Sequence, residues 1–364
     1  MKSKVAERHC GIELLRIIAM LMVFNLHFFI KGQYSKSENI VINFESWIAI
    51  CMSVVAVNCY VLISGYFMPN KSFKLSRFTA TYSQVWFYSV ATFIVMLTLH
   101  KISFSFGSLL TSVTPFIHYS YWFVTNYLLL ILFSPLLNSA INNMNRQKFK
   151  MVLFALVGMY CVFNNAVKLI NPFDTSGGYN IVWFIILYLS AAYVKYYYRP
   201  SYKPAKYFFA YFSTGALNLA FHSIFGRLGE VWDNGMVRDY NNILVYFGAL
   251  FLFMAFLNLN IKNSVVKKVV LFISPLTFAV YLIHESPFIS SFVWSVFNTS
   301  KWCVNSPLFI FFGFGTVLVL FLCCCFIEFL RKLIFKYLKI DFFIKKVSDC
   351  TENKVRGLIL RSRL

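Results

Sequence analysis

The chain has 364 residues, of which 59% are hydrophobic, 20% aromatic and only 13% charged, with a formal net charge of +21. A water-facing surface needs about a quarter charged residues, so a string of soluble domains is excluded and one membrane helix bundle is implied. The basic residues stand in short clusters between apolar runs, which excludes a nucleic-acid-binding stripe and fits membrane loops facing the cytoplasm.

A spanning helix takes about 20 mainly apolar residues. The sequence predicts about ten, at 11–31, 47–67, 79–99, 121–141, 150–167, 181–196, 206–222, 242–260, 268–288 and 305–330. The first follows Lys2, Lys4 and Arg8 much as a signal peptide would. However, Glu13 and Arg16 interrupt it and no small-residue cleavage site follows, so it reads as an uncleaved helix. Trp47, Trp122 and Trp183 stand at span ends, where aromatic belts form. With the N-terminus inside, 26 Lys and Arg residues fall in cytoplasmic segments and 7 in outer ones, Arg16 lying within the first span. That alternation places both termini in the cytoplasm. The expected organisation is an all-α polytopic bundle over 1–335 and a basic cytoplasmic tail over 336–364. The tail reads equally as a surface helix drawn to anionic lipid headgroups or as a solvated extension. Most of the nine cysteines lie in apolar runs with no C-x-x-C spacing, so neither a disulfide framework nor a metal site is expected.

Ionisable residues inside a span cost about 2.5–3.5 kcal/mol each near the helix centre and are functional candidates for that reason. The first span holds Glu13, Arg16 and His27. Arg16 and His27 are eleven residues apart, close to three turns, so they share a face roughly 16 Å apart along the axis. Glu13 stands at i,i+3 to Arg16, where the two can pair. The same residues also fit a plainer description, a neutralised pair near the interface and a helix-end histidine. His284 and Glu285 end the ninth span and His118 with Trp122 opens the fourth, so histidines of three spans can converge near the outer surface; Tyr127 lies one turn deeper. At the cytoplasmic end of the second span, Ser64 precedes a loop with Lys71, Lys74 and Arg77. That loop suits phosphates, or serves only as a topology signal.

These residues resemble a known family. Arg8-x-x-Gly11-Ile12-Glu13-Leu14-Leu15-Arg16, with ten residues between Arg16 and His27, is similar to the opening of the acyltransferase 3 family of membrane acyltransferases. Ile63-Ser64-Gly65-Tyr66-Phe67, Tyr121-Trp122-Phe123 with Ser134-Pro135-Leu136-Leu137, and Tyr281-Leu282-Ile283-His284 resemble its later motifs in the expected order, over about 8–330. The resemblance implies an O-acyltransferase of the plasma membrane. It would move an acetyl or other short acyl group from cytosolic acyl-CoA, a co-substrate and not a resident cofactor, to a hydroxyl of a cell-surface polysaccharide or its lipid-linked precursor. On that reading His27, Arg16 and Glu13 are catalytic, and Arg16, Lys71, Lys74, Arg77 and Ser64 bind the donor. His118, Trp122, Tyr127, His284 and Glu285 border the acceptor. Many members add an extracytoplasmic hydrolase-like domain, whereas a basic tail follows the bundle here; a separate extracytoplasmic partner or a homo-oligomer fits this departure. A polysaccharide polymerase or lipid-linked sugar flippase shares the many helices and basic loops, but depends on outer arginines, of which the sequence offers Arg227 and Arg238. A proton-coupled transporter is a third reading of the Glu13–Arg16 pair.

Overall fold

The computed structural model describes residues 8–69, 71, 73–116, 121–163, 176–198, 202–225, 236–297 and 308–361. Among the described residues all regular structure is helical. The main elements are α1 (Cys10–Lys31), α2 (Ile40–Ser53), α3 (Ala56–Phe67), α4 (Leu75–Thr98), α5 (Phe106–Val113), α6 (Trp122–Asn142), α7 (Arg146–Val157) and α8 (Ile181–Tyr197). They continue as α9 (Pro204–Phe225), α10 (Ile243–Leu257), α11 (Ser264–Ile273), α12 (Thr277–His284), α13 (Ser290–Val296), α14 (Phe309–Tyr337) and α15 (Ile340–Arg361).

Among the described residues each predicted span overlaps a helix or a helix pair; 164–167 of the fifth and 305–307 of the tenth lie outside the described residues. Six segments among the described residues are long and apolar enough to cross a membrane: Cys10–Lys31, Ile40–Phe67, Leu75–Thr98, Trp122–Asn142, Ser264–His284 and Phe309–Tyr337. Ile181–Tyr197 and Ile243–Leu257 are shorter apolar helices. Large apolar side chains such as Ile94, Phe133, Phe209, Phe311 and Phe326 remain on the outside. Water would oppose that exposure and lipid welcomes it.

Two predicted spans are broken. The second is divided at Val54 and Val55 into α2 and α3. The ninth is divided by a 3-10 turn, Ser274–Leu276, where Pro275 lacks an N–H for the helical ladder. Asparagine side chains open five helices, with Asn39, Asn145, Asn180, Asn242 and Asn263 accepting from backbone N–H groups that otherwise have no partner. The sequence reading also did not anticipate α5 and α13, two short helices between spans. Nor did it foresee that α14 runs on to Tyr337; of the two readings of the tail, α15 matches the helical one.

The centre of the bundle is α1, which packs on α2, α3, α10, α11, α12 and α14. Two glycines of the noted motifs explain close approaches. A Cβ at Gly11 would lie 2.3 Å from the Phe256 carbonyl oxygen of α10. One at Gly65 would lie 2.5 Å from the Tyr188 carbonyl oxygen, so α3 reaches α8 only because residue 65 has no side chain.

Candidate active site

The C-terminal part of α1 delivers His27, and the C-terminal end of α12 delivers His284 and Glu285 beside it. Pro287 stops α12 here, because the residue before a proline is driven out of helical geometry. The turn after Glu285 is tied in place by a 2.7 Å bond between the Ser286 and Thr92 hydroxyls, and Tyr121 donates to the Leu282 carbonyl at 3.1 Å. His284 is buried and stacks on Phe24, ring centroids 4.1 Å apart.

The hydrogen bonds assign the protons. His284 Nδ1 lies 2.5 Å from the Val280 carbonyl oxygen, which can only accept. A neutral His284 therefore carries its proton on Nδ1 and presents a lone pair at Nε2. That lone pair faces His27 Nδ1 at 2.9 Å, so His27 is the donor there and holds its own proton on Nδ1. The Glu285 carboxylate stands 3.2 Å from the same nitrogen. The proton-accepting atom left on His27 is Nε2. Lys31, one turn beyond His27 on α1, places its ammonium 2.6 Å from the same Glu285 oxygen and donates to Ser290 Oγ at 3.2 Å.

His27, His284 and Glu285 each offer a ligand atom within 4.8 Å of the others, an arrangement that could hold a metal ion. The Lys31 ammonium already engages the carboxylate oxygen and opposes a second cation there. A proton-handling group is the better description of the three.

Two cavities meet at His27. The outer one, about 420 Å³, is bordered by Lys31, Glu285, Trp122, Tyr179, Asp239 and Tyr240 among others. The inner one is a slot of about 30 Å³ between Met20, Val23, Tyr60, Phe123, Phe278 and Tyr281. Leu26, His27, Trp122 and Tyr240 line both. Along α1, Arg16, Met20, Val23 and His27 follow at spacings of four, three and four, one continuous helix face. At the inner end of the slot, Tyr60 donates to the Arg16 carbonyl at 2.7 Å.

Arg16 lies 3.9 Å from buried Glu13 and keeps 38% of its side chain exposed. Lys71 lies in the same neighbourhood. Partial burial, then the charges of Arg77 and Arg16, lower its pKa. Tyr127 and Ser64 join each other, the Ser64 hydroxyl donating to the Tyr127 oxygen at 3.3 Å. This sets Tyr127 of α6 against Ser64 of α3, a residue expected on the donor side. His118 lies outside the described residues, as do Arg227 and Cys303.

Sequence reasoning missed several lining groups. Tyr240, Tyr179 and Asp239 come from segments between helices, gathered by the bond from Tyr240 N–H to the Gly177 carbonyl (2.8 Å) and from the Asn58 amide to the Tyr240 carbonyl (2.8 Å). Trp122 packs against Tyr179 and Tyr240 at centroid distances of 4.4 and 5.6 Å. Lys31 alone carried a readable signal, its i,i+4 spacing from His27.

The model of one protein family, described as an acyltransferase domain and named acyltransferase 3, matches residues 11–328. No curated protein and no solved structure matches the chain significantly.

Proposed function

The chain belongs to the acyltransferase 3 family, and from that premise we propose that it transfers an acetyl or other short acyl group from cytosolic acyl-CoA to a hydroxyl of a cell-surface polysaccharide or its lipid-linked precursor. Its place is the plasma membrane, with about ten spans and both termini in the cytoplasm. The observation that carries this reading is the meeting of the inner slot and the outer cavity at one histidine whose Nε2 can accept a proton. A donor on one membrane face and an acceptor on the other need such a meeting point.

The donor's phosphates dock among Arg16, Lys71 and Arg77, and its pantetheine arm follows the Arg16-to-His27 face of α1, roughly 16 Å long. A pantetheine chain is wider than the slot, so Phe123, Phe278 and Tyr281 turn aside when the donor enters. The acceptor sugar lies in the outer cavity against Trp122, whose apolar ring face suits the C–H face of a pyranose. His27 Nε2 takes the proton of the attacking hydroxyl while oxygen bonds to the thioester carbonyl carbon. The C–S bond then breaks, and CoA leaves as the thiol once the imidazolium returns the proton. Glu285 and His284 hold the imidazole through Nδ1, and the Glu285 carboxylate stabilises the imidazolium. Arg16, paired with Glu13, acts at the donor end.

Incubating the purified protein in lipid nanodiscs with radiolabelled acetyl-CoA and an envelope glycan tests the reading. The expected result is label on glycan hydroxyls that depends on both donor and protein. Movement of glycan or its lipid-linked precursor across a bilayer without any acylation would overturn it in favour of a transporter.

A further inference from the structure

Lys74 and Arg77 do not stand on a bare loop. They line a cavity of about 470 Å³ between α4, α14 and α15, together with Arg331 and Lys345. The tail helix is docked over it: Glu352 Oε2 accepts from the Leu75 N–H at 2.9 Å, and the Thr79 and Ser348 hydroxyls bond at 2.6 Å. Arg331 is held rigidly. Its Nε and Nη2 donate to buried Glu328 at 2.7 and 2.8 Å, and the Phe87 and Phe335 rings flank the guanidinium. Two of its five N–H groups are used in this way. Glu328 neutralises Arg331, and Asp341 on the cavity wall offsets one further charge. Lys74, Arg77 and Lys345 against Asp341 leave a surplus of two positive charges among the lining residues. Lys71 stands three residues before Lys74 on the same loop, so the cavity borders the proposed donor mouth.

We infer that this cavity receives the 3′-phosphate of the CoA donor, which makes α15, through Lys345, part of the donor site. The inference rests on the function proposed above. A ribose 3′-phosphomonoester approaches two negative charges at neutral pH, which the surplus matches. The pyrophosphate is bonded to the pantetheine arm and so stays with Arg16 and Lys71. The 3′-phosphate stands on a different ribose carbon from the pyrophosphate, so the two can occupy separate sites. The phosphodiester of an anionic lipid headgroup shares the chemistry but carries a single charge.

Lys345 is exposed, so its replacement leaves packing intact. Binding of acetyl-CoA and of acetyl-3′-dephospho-CoA is measured by calorimetry on the full-length protein in uncharged-lipid nanodiscs, for the parent, Lys345→Ala and Lys345→Arg. Lys345→Ala is expected to weaken acetyl-CoA roughly fivefold, the scale of one partly screened ion pair. It should leave the dephospho donor unchanged, and Lys345→Arg should bind both donors as the parent does. Equal effects on the two donors, or no effect on either, overturn the inference. A variant that loses affinity for phosphatidylglycerol vesicles while binding acetyl-CoA normally makes the cavity a headgroup site and overturns it as well. A parent that binds neither donor overturns the proposed function itself, and this inference with it.

Discussion

At the scale of single residues, the arrangement hinges on which nitrogen of His27 is free. The Val280 carbonyl fixes the proton of His284, His284 fixes that of His27, and Nε2 of His27 is left to accept. The predicted consequence is specific. His27→Ala should leave the protein inserted and able to bind CoA, while transfer falls by about 10²–10⁴-fold, the usual loss with a general base. His284→Ala removes only an orienting partner, so its loss should be smaller. Arg16→Ala should differ in kind and raise the donor dissociation constant. Single-turnover acylation beside a CoA-binding isotherm separates these outcomes, and near-normal transfer by His27→Ala would sink the mechanism. His27 and Arg16 were legible in the sequence because helical spacing alone puts them on one face. Tyr240 and Asp239 were not, because the loops that carry them reach His27 only through tertiary bonds such as that of Asn58 to the Tyr240 carbonyl.

At the scale of elements, α4 and α14 are joined by a charge network that no local pattern announced. Glu328 is fully buried, accepts two bonds from Arg331, and takes further bonds from Tyr88 Oη at 2.6 Å and Gln84 Nε2 at 3.1 Å. In the sequence, Glu328 and Arg331 read as the polar end of an apolar helix, because the partners that make the carboxylate tolerable lie some 240 residues away. Removing one member of such a pair strands the other and typically costs about 3–5 kcal/mol. Arg331→Met should therefore lower thermal stability in detergent markedly, whereas the double variant Glu328→Gln with Arg331→Met should recover much of the loss. If the single and double variants melt alike, the pair carries no such coupling. The helix breaks follow the same logic. Pro275 is a sequence signal for its break that the predicted span over 268–288 did not take up. The division at Val54 and Val55 had no proline or glycine to betray it.

At the scale of the whole molecule, the tail and the loop from Lys71 to Arg77 must lie on one side of the membrane. The backbone of α15 runs beside the first turns of α4, with Glu352 bonded to the Leu75 N–H and Ser348 to Thr79. A tail on the opposite face could make neither bond. Ten Lys and Arg residues follow position 330, and the positive-inside rule assigns that face to the cytoplasm. Cys350, exposed on α15, reports on this directly. In a variant whose other cysteines are replaced, an impermeant maleimide should leave Cys350 unlabelled in intact cells and label it once the membrane is permeabilised. A matching variant that retains only Cys303 should be labelled without permeabilisation, because the alternation of basic loops puts position 303 outside. Labelling of Cys350 in intact cells would invert the orientation. The donor mouth at Arg16 and Lys71 would then face away from the cytosolic CoA that the proposed reaction requires.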